Sequence, residues 1–579
     1  MDKKQIAALL ERTGTLMELK GENVFHARAY YAAARALESF DGRLEDLASG
    51  TAEVKGIGQG MRQHIRDLLE RGTMDKLEEL EKAVPPGLLD MLRIPGFGPK
   101  KARAVYDALG LDSIEALEQA ARAGRLEALA GFGKKSQEKI LEGIALIRRH
   151  SGRFRLDQAL PAAEAILSKI KAHKQVRRAE LGGSLRRRRE TIKDADILVT
   201  TRAPAEVMRF FVELPEAAAV IAHGETRSSI RLASGMACDL RAVAESEFPF
   251  ALMYFTGSKE HNVALRQRAQ QLGFKLNEYG LFPEGGDRSV RCRTEQDVFK
   301  RLGLAFIPPE LREDMGEIEA AECGELPRLV EREDIRGILH IHTAASDGKC
   351  SIRDHIERAR QMGVEWLGIS DHSQYARYAG GLTPDRLRKQ WDEIDRLNDE
   401  LGGEIRLFKG IEADILPDGR VDYEGETIGG KDILEQFDFV IASVHSNFNL
   451  SEAEQTRRVL RALEHPRVTI LGHPTGRLLL QREPYAINLE AVIEAAAERG
   501  VWIEINANPH RLDLDWRWVK RAIGAGVLCP LGPDAHDPDG LEDVWFGLGI
   551  ARKGWCEARH VPNALTAQEI EREFKKRKG

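Results

Sequence analysis

The rhythm of hydrophobic and polar positions changes along the 579 residues. The chain opens into an amphipathic helix after Met1-Asp-Lys-Lys-Gln5. Three segments then place an apolar residue before Gly-x-Gly and a helix-like run. Val54-Lys-Gly-Ile-Gly58 precedes Met61–Glu70, Ile94-Pro-Gly-Phe-Gly98 precedes Lys100–Leu109, and Leu129-Ala-Gly-Phe-Gly133 precedes Ser136–Ile147. Strand-like runs follow at Asp194-Ala-Asp196-Ile-Leu-Val199 and Met236-Ala-Cys-Asp-Leu-Arg241. After Pro308-Pro309 an acid-rich stretch without long apolar runs extends to Asp334 and reads as a linker with short helical pieces. From Ile335 short apolar strands, such as Trp366–Ser370 and Phe439–Ser443, alternate with amphipathic helices, which predicts an α/β barrel.

Length alone suggests about three to five domains. No apolar run is long enough to span a bilayer, and the N-terminus does not read as a signal peptide. Six dispersed cysteines without a Cys-x-x-Cys pair fit a reducing compartment, so the expected location is cytoplasmic, with no membrane partner. The net charge of −6 conceals an asymmetry. Residues 1–300 hold 49 Lys+Arg against 42 Asp+Glu, residues 301–334 hold 4 against 10, and residues 335–579 hold 33 against 40. A basic front suits a polyanion and an acidic back suits metals.

Residues i and i+2 of a strand share a face, so Asp194 and Asp196 present adjacent carboxylates. Such a pair repels itself unless a cation sits between, and Mg²⁺ favours oxygen ligands. Asp239, on a strand-like run able to pair beside the first, makes a third acid. With a glycine turn for phosphates nearby, the set suggests two-metal nucleotidyl transfer. Gly183-Ser184, nine intervening residues and Asp194-x-Asp196 resemble the nucleotidyltransferase palm of family X DNA polymerases. The resemblance implies catalytic, metal-holding Asp194, Asp196 and Asp239, with two Mg²⁺ or Mn²⁺ ions. It implies that Gly183, Ser184 and Arg187 bind the triphosphate. Tyr254-Phe-Thr-Gly-Ser258 resembles the family's nucleotide turn. Tyr254 and Phe255 are then expected at the sugar, Gly257 in the same nucleotide site, Asn262 at the base and Arg266 on the template strand.

The Gly-x-Gly segments resemble helix-hairpin-helix motifs, which grip DNA phosphates without reading sequence. Gly56, Gly58, Gly96, Gly98, Lys100, Gly131 and Gly133 are the expected contacts. In the family's small N-terminal domain a lysine can form a Schiff base with a 5′-deoxyribose phosphate. The matching residue here is His64, and imidazole cannot do so. His26 likewise replaces a phosphate-binding lysine, and Tyr30 falls where the family has an aromatic near a gap's 5′ end.

Ten of the sixteen histidines follow residue 335, and six of them, with several acids, lie at the ends of predicted strands, where barrel active sites form. The set resembles the PHP (polymerase and histidinol phosphatase) domain. Nine ligands carry over: His340, His342, Asp347, His372, Glu412, His445, His473, Asp534 and His536. The resemblance groups His340, His342, Glu412 and Asp534 round one ion, Glu412, His445 and His473 round a second, and Asp347, His372 and His536 round a third. Mixed nitrogen and oxygen donors suit Mn²⁺, Zn²⁺ or Fe²⁺. Asp371 reads equally as a partner of the ligands or as a helix cap.

The expected fold is multidomain α+β and α/β. It has a helical domain at 1–85 and fingers-like helices at 86–150, both with helix-hairpin-helix motifs. A palm at 151–245, a thumb at 246–309, an acidic linker at 310–334 and a distorted (β/α)7 PHP barrel at 335–579 complete it. The expected function is short-gap DNA synthesis in repair, joined to a metal-dependent 3′→5′ exonuclease or other 3′-end-processing activity, with abasic-site cleavage a further option. Partners are gapped or nicked DNA and deoxynucleoside triphosphates, and the chain is expected to be a monomer. Two alternatives stay open: a non-enzymatic DNA-end scaffold, and a polymerase fused to a small-molecule phosphatase.

Overall fold

The computed structural model describes residues 1–576 apart from 2, 39, 41 and 55, so Lys55 of the first Gly-x-Gly segment lies outside the described residues. The chain divides into two compact units, Met1–Ser151 with Leu480–Arg482, and Gly152–Leu479 with Glu483–Gly579.

In the first unit α1 (Gln59–Arg71), α2 (Pro99–Leu109) and α3 (Lys134–Arg149) each follow a Gly-x-Gly turn. The first glycines, Gly56, Gly96 and Gly131, have φ of +96°, +72° and +87°, a region that side chains resist. The second glycines are extended and cap the helices. Around these, no other side chain or non-neighbouring backbone lies within 4 Å of where a Cβ would stand. The residue between each pair, Ile57, Phe97 or Phe132, turns into the helical core, where Phe97 and Phe132 meet edge-on at 6.2 Å. One apolar anchor with two permissive glycines therefore builds the same turn three times.

In the second unit β1 (Val176–Leu181), β2 (Asp194–Thr201), β3 (Ala217–His223), β4 (Arg227–Leu232) and β5 (Ala237–Val243) form a sheet ordered β1-β2-β5-β4-β3. Only β2 and β5 run parallel, and their register sets Asp196 opposite Asp239. Ala195, Ile197, Leu198 and Val199 of β2 are buried, which leaves the two aspartates at its start. Between β1 and β2 the chain makes a one-turn helix, α4 (Gly183–Arg186). After the sheet, α5 (Phe248–Thr256) and α6 (Lys259–Gln271) meet at Gly257-Ser258, where the Ser258 hydroxyl accepts from His261 N at 3.0 Å.

The remaining sheet is parallel. β6 (Gly337–Ile341), β7 (Trp366–Ile369), β8 (Arg406–Asp414), β9 (Phe439–Ser443), β10 (Ile470–Leu471) and β11 (Trp502–Ile503) pair in chain order. β12 (Ile505–Asn506) pairs with β13 (Leu531–Gly532), and Ala535 just beyond bridges Ile341. The sheet thus curls back to its first strand. Asn563 fastens that seam, its amide donating to the carbonyls of Gly337 and Leu531, each at 3.0 Å. Most strand residues are buried, as expected when helices cover a parallel sheet.

The acidic stretch 310–334 has the expected short helices, Pro309–Leu311, Glu317–Cys323 and Arg332–Asp334, and they are packed. Ile318, Ala321 and Leu329 join the core beside α5 and α6, and Val330 joins the barrel core. Arg312 is fully buried between Phe299 and Phe306 and pairs with Glu295 at 2.6 Å. Composition hides this because several of the acids take partners from distant segments. Glu310 binds Arg552, Glu317 binds His261 and Glu322 binds Arg268.

Candidate functional site

Two clusters of chemical groups stand out in the second unit. In the first, β2 and β5 bring Asp194, Asp196 and Asp239 together. Burial, then the charges of Asp194 and Asp239, push the Asp196 carboxyl up to about 6. Asp239 accepts from the Ser229 hydroxyl and lies 3.1 Å from the Arg227 guanidinium. The glycine turn abuts these acids. Gly182 N donates to Asp196 O at 2.8 Å, and Gly183 has φ of +60°. A Cβ on Gly183 would stand 2.3 Å from Asp196 Oδ2. A side chain would collide there, so the turn keeps its backbone against the carboxylate. Three clustered carboxylates, with Asp196 raised, beside an open glycine backbone fit divalent cations with phosphate ligands.

Three of the arginines after this turn, Arg186, Arg187 and Arg189, are engaged. Arg186 makes a two-pronged contact with Glu295, at 2.6 and 3.0 Å. Arg187 donates to Glu313 at 2.9 Å and to the Thr256 carbonyl at 2.7 Å. Arg189 reaches the same Glu313 at 3.3 Å. From α7 (Val544–Lys553) the buried Lys553 ammonium also binds Glu313 and donates to the Arg187 carbonyl at 3.1 Å. Those cations hold the Glu313 carboxyl below its usual range despite its burial. Tyr254 and Phe255 pack edge-on at 5.3 Å on α5, with the Arg241 guanidinium 4.6 Å from the Phe255 ring. Gly257 leaves room for Asn262, whose amide donates to the Tyr254 carbonyl at 2.7 Å. Arg266 donates to the Asn262 carbonyl at 3.2 Å.

The second cluster lies at the carboxyl ends of the barrel strands and gathers all nine expected ligands. Glu412 is central. It lies 3.4 Å from His340, 3.5 Å from His342, 2.9 Å from His372, 3.3 Å from His445 and 2.9 Å from His473. Asp534 is 3.2 Å from His342, and Asp347 is 3.3 Å from His536. The closest donor groups are His342, Asp347, His372 and His536, then His340, His342 and Glu412, then His372, Glu412 and His445. The expected three-way division is therefore blurred, with His342 and His372 each belonging to two groups. Burial opposes charge on Glu412, yet His445, His372 and His340 hold its carboxyl well below the usual range. Burial, with the charges of His536 and His372, takes His342 down to about 3.

Several donors point into the cluster without a hydrogen bond: His340 Nε2, both nitrogens of His342, His372 Nδ1 and Glu412 Oε2. His445 and His473 bring their Nε2 atoms to 3.2 Å of each other. Buried, unsatisfied lone pairs on nitrogen and oxygen that converge in this way fit transition-metal cations. His340, His473 and Asp534 also have positive φ, +63°, +25° and +55°, strain of about 1–3 kcal/mol each that packing must sustain.

Partners absent from the sequence reading complete the cluster. Glu504 accepts from His340 Nδ1 and from His473 N, and Asp414 faces His445 Nδ1 at 3.2 Å. A carboxylate behind a histidine fixes its tautomer and turns its other nitrogen inward. Asp414 was within reach of sequence reasoning, since it follows Glu412 by two positions on one strand. Glu504 was signalled by an acid inside Val-Trp-Ile-Glu-Ile. Asp371 accepts from Thr343 N and Oγ1, from Ser346 Oγ and from Gln390 Nε2, and so anchors the loop that carries Asp347. Arg511 lies 3.6 Å from Asp534.

In the first unit His64 stacks on Tyr30, with ring centroids 5.6 Å apart, and partial burial lowers its pKa. Tyr30 is itself buried. Lys100 lies in the first turn of α2, and the Lys101 ammonium donates to the Gly96 carbonyl at 2.9 Å.

Family models match for a helix-hairpin-helix domain at residues 1–74 and a SAM-like helix-hairpin-helix tandem at 88–145. Others match for a DNA polymerase beta thumb at 251–313 and a PHP domain at 339–508. The chain is 40% identical over 573 residues to the DNA polymerase/3′-5′ exonuclease PolX of Bacillus subtilis (strain 168), covering 99% of each. It is 25% identical over 337 residues to rat DNA polymerase lambda, 53% of this chain and 56% of that one. It is 30% identical over 205 residues to a probable phosphatase of Caldanaerobacter subterraneus, 33% of this chain and 67% of that one.

Proposed function

The chain belongs to the family X DNA polymerases that carry a PHP domain, and from that premise we propose that it fills short gaps in DNA and trims 3′ ends. The observation that carries the synthetic half is the register of Asp196 against Asp239 with the Gly182-Gly183 backbone beside them. Asp194, Asp196 and Asp239 hold two divalent ions, Mg²⁺ or Mn²⁺. The barrel ligands hold up to three of Mn²⁺, Zn²⁺ or Fe²⁺. When bound, such ions lower the pKa of an attacking oxygen and neutralise charge that develops at phosphorus.

The protein's own groups do the positioning. Asp239 faces the primer 3′-oxygen and accepts its proton. The Gly183 and Ser184 backbone and Arg187 take the triphosphate, with Arg187 held in position by Glu313. Phe255 and Tyr254 lie against the sugar, Asn262 reaches the base and Arg266 the template strand. Gly56, Gly58, Gly96, Gly98, Gly131 and Gly133 bring helix N-termini to DNA phosphates, with Lys100 adding charge. Gapped DNA in base-excision or break repair is the substrate this arrangement serves, in the cytoplasm and as a monomer. His64 supplies no Schiff-base amine, so 5′-lyase chemistry by that route is absent. The match of the barrel to a probable phosphatase favours a second reading, in which that half hydrolyses a small phosphate ester.

The test is primer extension and 3′ degradation on a one-nucleotide gap with Mg²⁺ or Mn²⁺. Asp194→Ala/Asp196→Ala is expected to abolish synthesis and spare degradation, and His340→Ala/His342→Ala the reverse. Continued degradation by the histidine variant would refute the nuclease assignment, and hydrolysis of only a small phosphate ester would favour the second reading. Loss of both activities from the unaltered protein would point to a DNA-end scaffold.

A further inference from the structure

Tyr378 is 73% exposed, which is unusual for a large aromatic side chain. It stands on a single 3₁₀ turn, Arg377–Ala379, six residues beyond the ligand His372. Its ring centroid lies 6.2 Å from that of His372 and 6.4 Å from that of His445. The ring therefore sits at the mouth of the barrel cluster and turns most of its surface to solvent.

The loop that carries it is fastened at many points. Leu382 N donates to His372 O at 2.8 Å, closing the loop on itself. The Tyr423 hydroxyl donates to Leu382 O and accepts from Gln374 N. Tyr375 N donates to Asp422 at 2.8 Å, and the Arg386 guanidinium donates to Gly380 O at 2.6 Å. Ala376 and Ala379 are buried beneath the turn. Tyr378 is thus an aromatic face held on an ordered support, and its position owes little to packing of its own ring.

A single exposed apolar residue ordinarily needs no explanation. Here its place does. A phosphodiester held at the cluster would carry its sugar and base outward toward solvent, where the Tyr378 ring stands beside His372 and His445. Every base offers a π face, and stacking on an aromatic side chain is worth about 1–3 kcal/mol per base without regard to sequence. We propose that Tyr378 is the stacking platform for the base of the 3′-terminal nucleotide presented to the barrel site. The assignment rests on the 3′-end-trimming reading above and adds a base subsite to it. Tyr378 acts as a positioning residue: it holds the end of the strand and takes no part in bond breaking.

The test uses the full chain, unaltered and as Tyr378→Ala and Tyr378→Phe. Two single-stranded oligodeoxynucleotides differ only at the 3′ end, one closing on 2-aminopurine and the other on an abasic tetrahydrofuran residue. Quenching of 2-aminopurine on binding, read with metal present on a strand whose last link is a non-hydrolysable phosphorothioate, reports stacking apart from catalysis. With metal, the KM for removal of the last nucleotide is compared between the two strands. The unaltered protein is expected to favour the base-bearing strand in KM by roughly 5- to 100-fold. Tyr378→Ala collapses that preference and loses the quench, and Tyr378→Phe keeps both. Equal quenching and an undiminished preference in Tyr378→Ala would overturn the proposal, as would a KM raised equally on both strands. A Tyr378-dependent quench in a protein that degrades neither strand would uphold the base subsite while removing the nuclease reading.

Discussion

Asp196 shows how single residues are set by their neighbours. Its carboxyl is pushed up to about 6 by burial first and then by Asp194 and Asp239. A carboxyl whose folded pKa exceeds its unfolded one binds its proton more tightly when folded. In the ion-free protein its contribution therefore favours the folded state at low pH and is lost as pH rises through about 6. A divalent ion removes the penalty only once the proton has gone. Mg²⁺ is thus expected to raise the melting temperature more at about pH 8 than at about pH 5, and Asp196→Asn to flatten that difference. Equal Mg²⁺ stabilisation of both proteins at both pH values would show that Asp196 does not control ion binding.

At the scale of elements, a turn of a few residues sets two strands and a loop against one another. Gly183 has both a positive φ and Asp196 Oδ2 where a Cβ would be. Gly183→Ala adds about 1–2 kcal/mol of backbone strain and forces the turn or the carboxylate to move. The expected outcome is a loss of primer extension of at least tenfold, with 3′ degradation and the unfolding midpoint little changed. Full synthesis by this variant would mean that the turn has slack that the distances do not suggest. The same economy shapes the helical unit, where Gly56, Gly96 and Gly131 share one conformation with a buried Ile57, Phe97 or Phe132 alongside.

Over the whole molecule, the second unit is held together at Glu313. This side chain is 6% exposed and binds Arg187 and Arg189 from the phosphate turn and Lys553 from the barrel's helix α7. Removing one member of a buried ionic group leaves charges unpaired, which costs about 3–5 kcal/mol. Glu313→Gln is expected to lower denaturant stability by that order and to weaken nucleotide affinity, because Arg187 and Lys553 lose their shared anchor. Unaltered unfolding and KM for nucleotide would show that the two catalytic halves are mechanically independent.

The sequence by itself determined the chemistry that local spacing can encode. Asp194-x-Asp196 needed only the two-residue period of a strand, the Gly-x-Gly repeats only glycine's conformational range, and the histidines only their recurrence at strand ends. Pairing between distant segments was decided by the tertiary structure. Nothing local tells Glu313 that it meets Arg187 and Lys553, or Glu504 that it stands behind His340. The stretch 310–334 reads as a linker because acids without apolar runs have no local reason to pack. Several of its acids are ordered by cations from other segments, such as Arg552, Lys553 and Arg268, and the stretch is pinned by Arg312 between two phenylalanines. The grouping of the nine barrel ligands is likewise a matter of distance after folding, since strands from six segments converge on Glu412. Residue type sets what a group can do, and only the folded chain sets which partner is near enough for it to act.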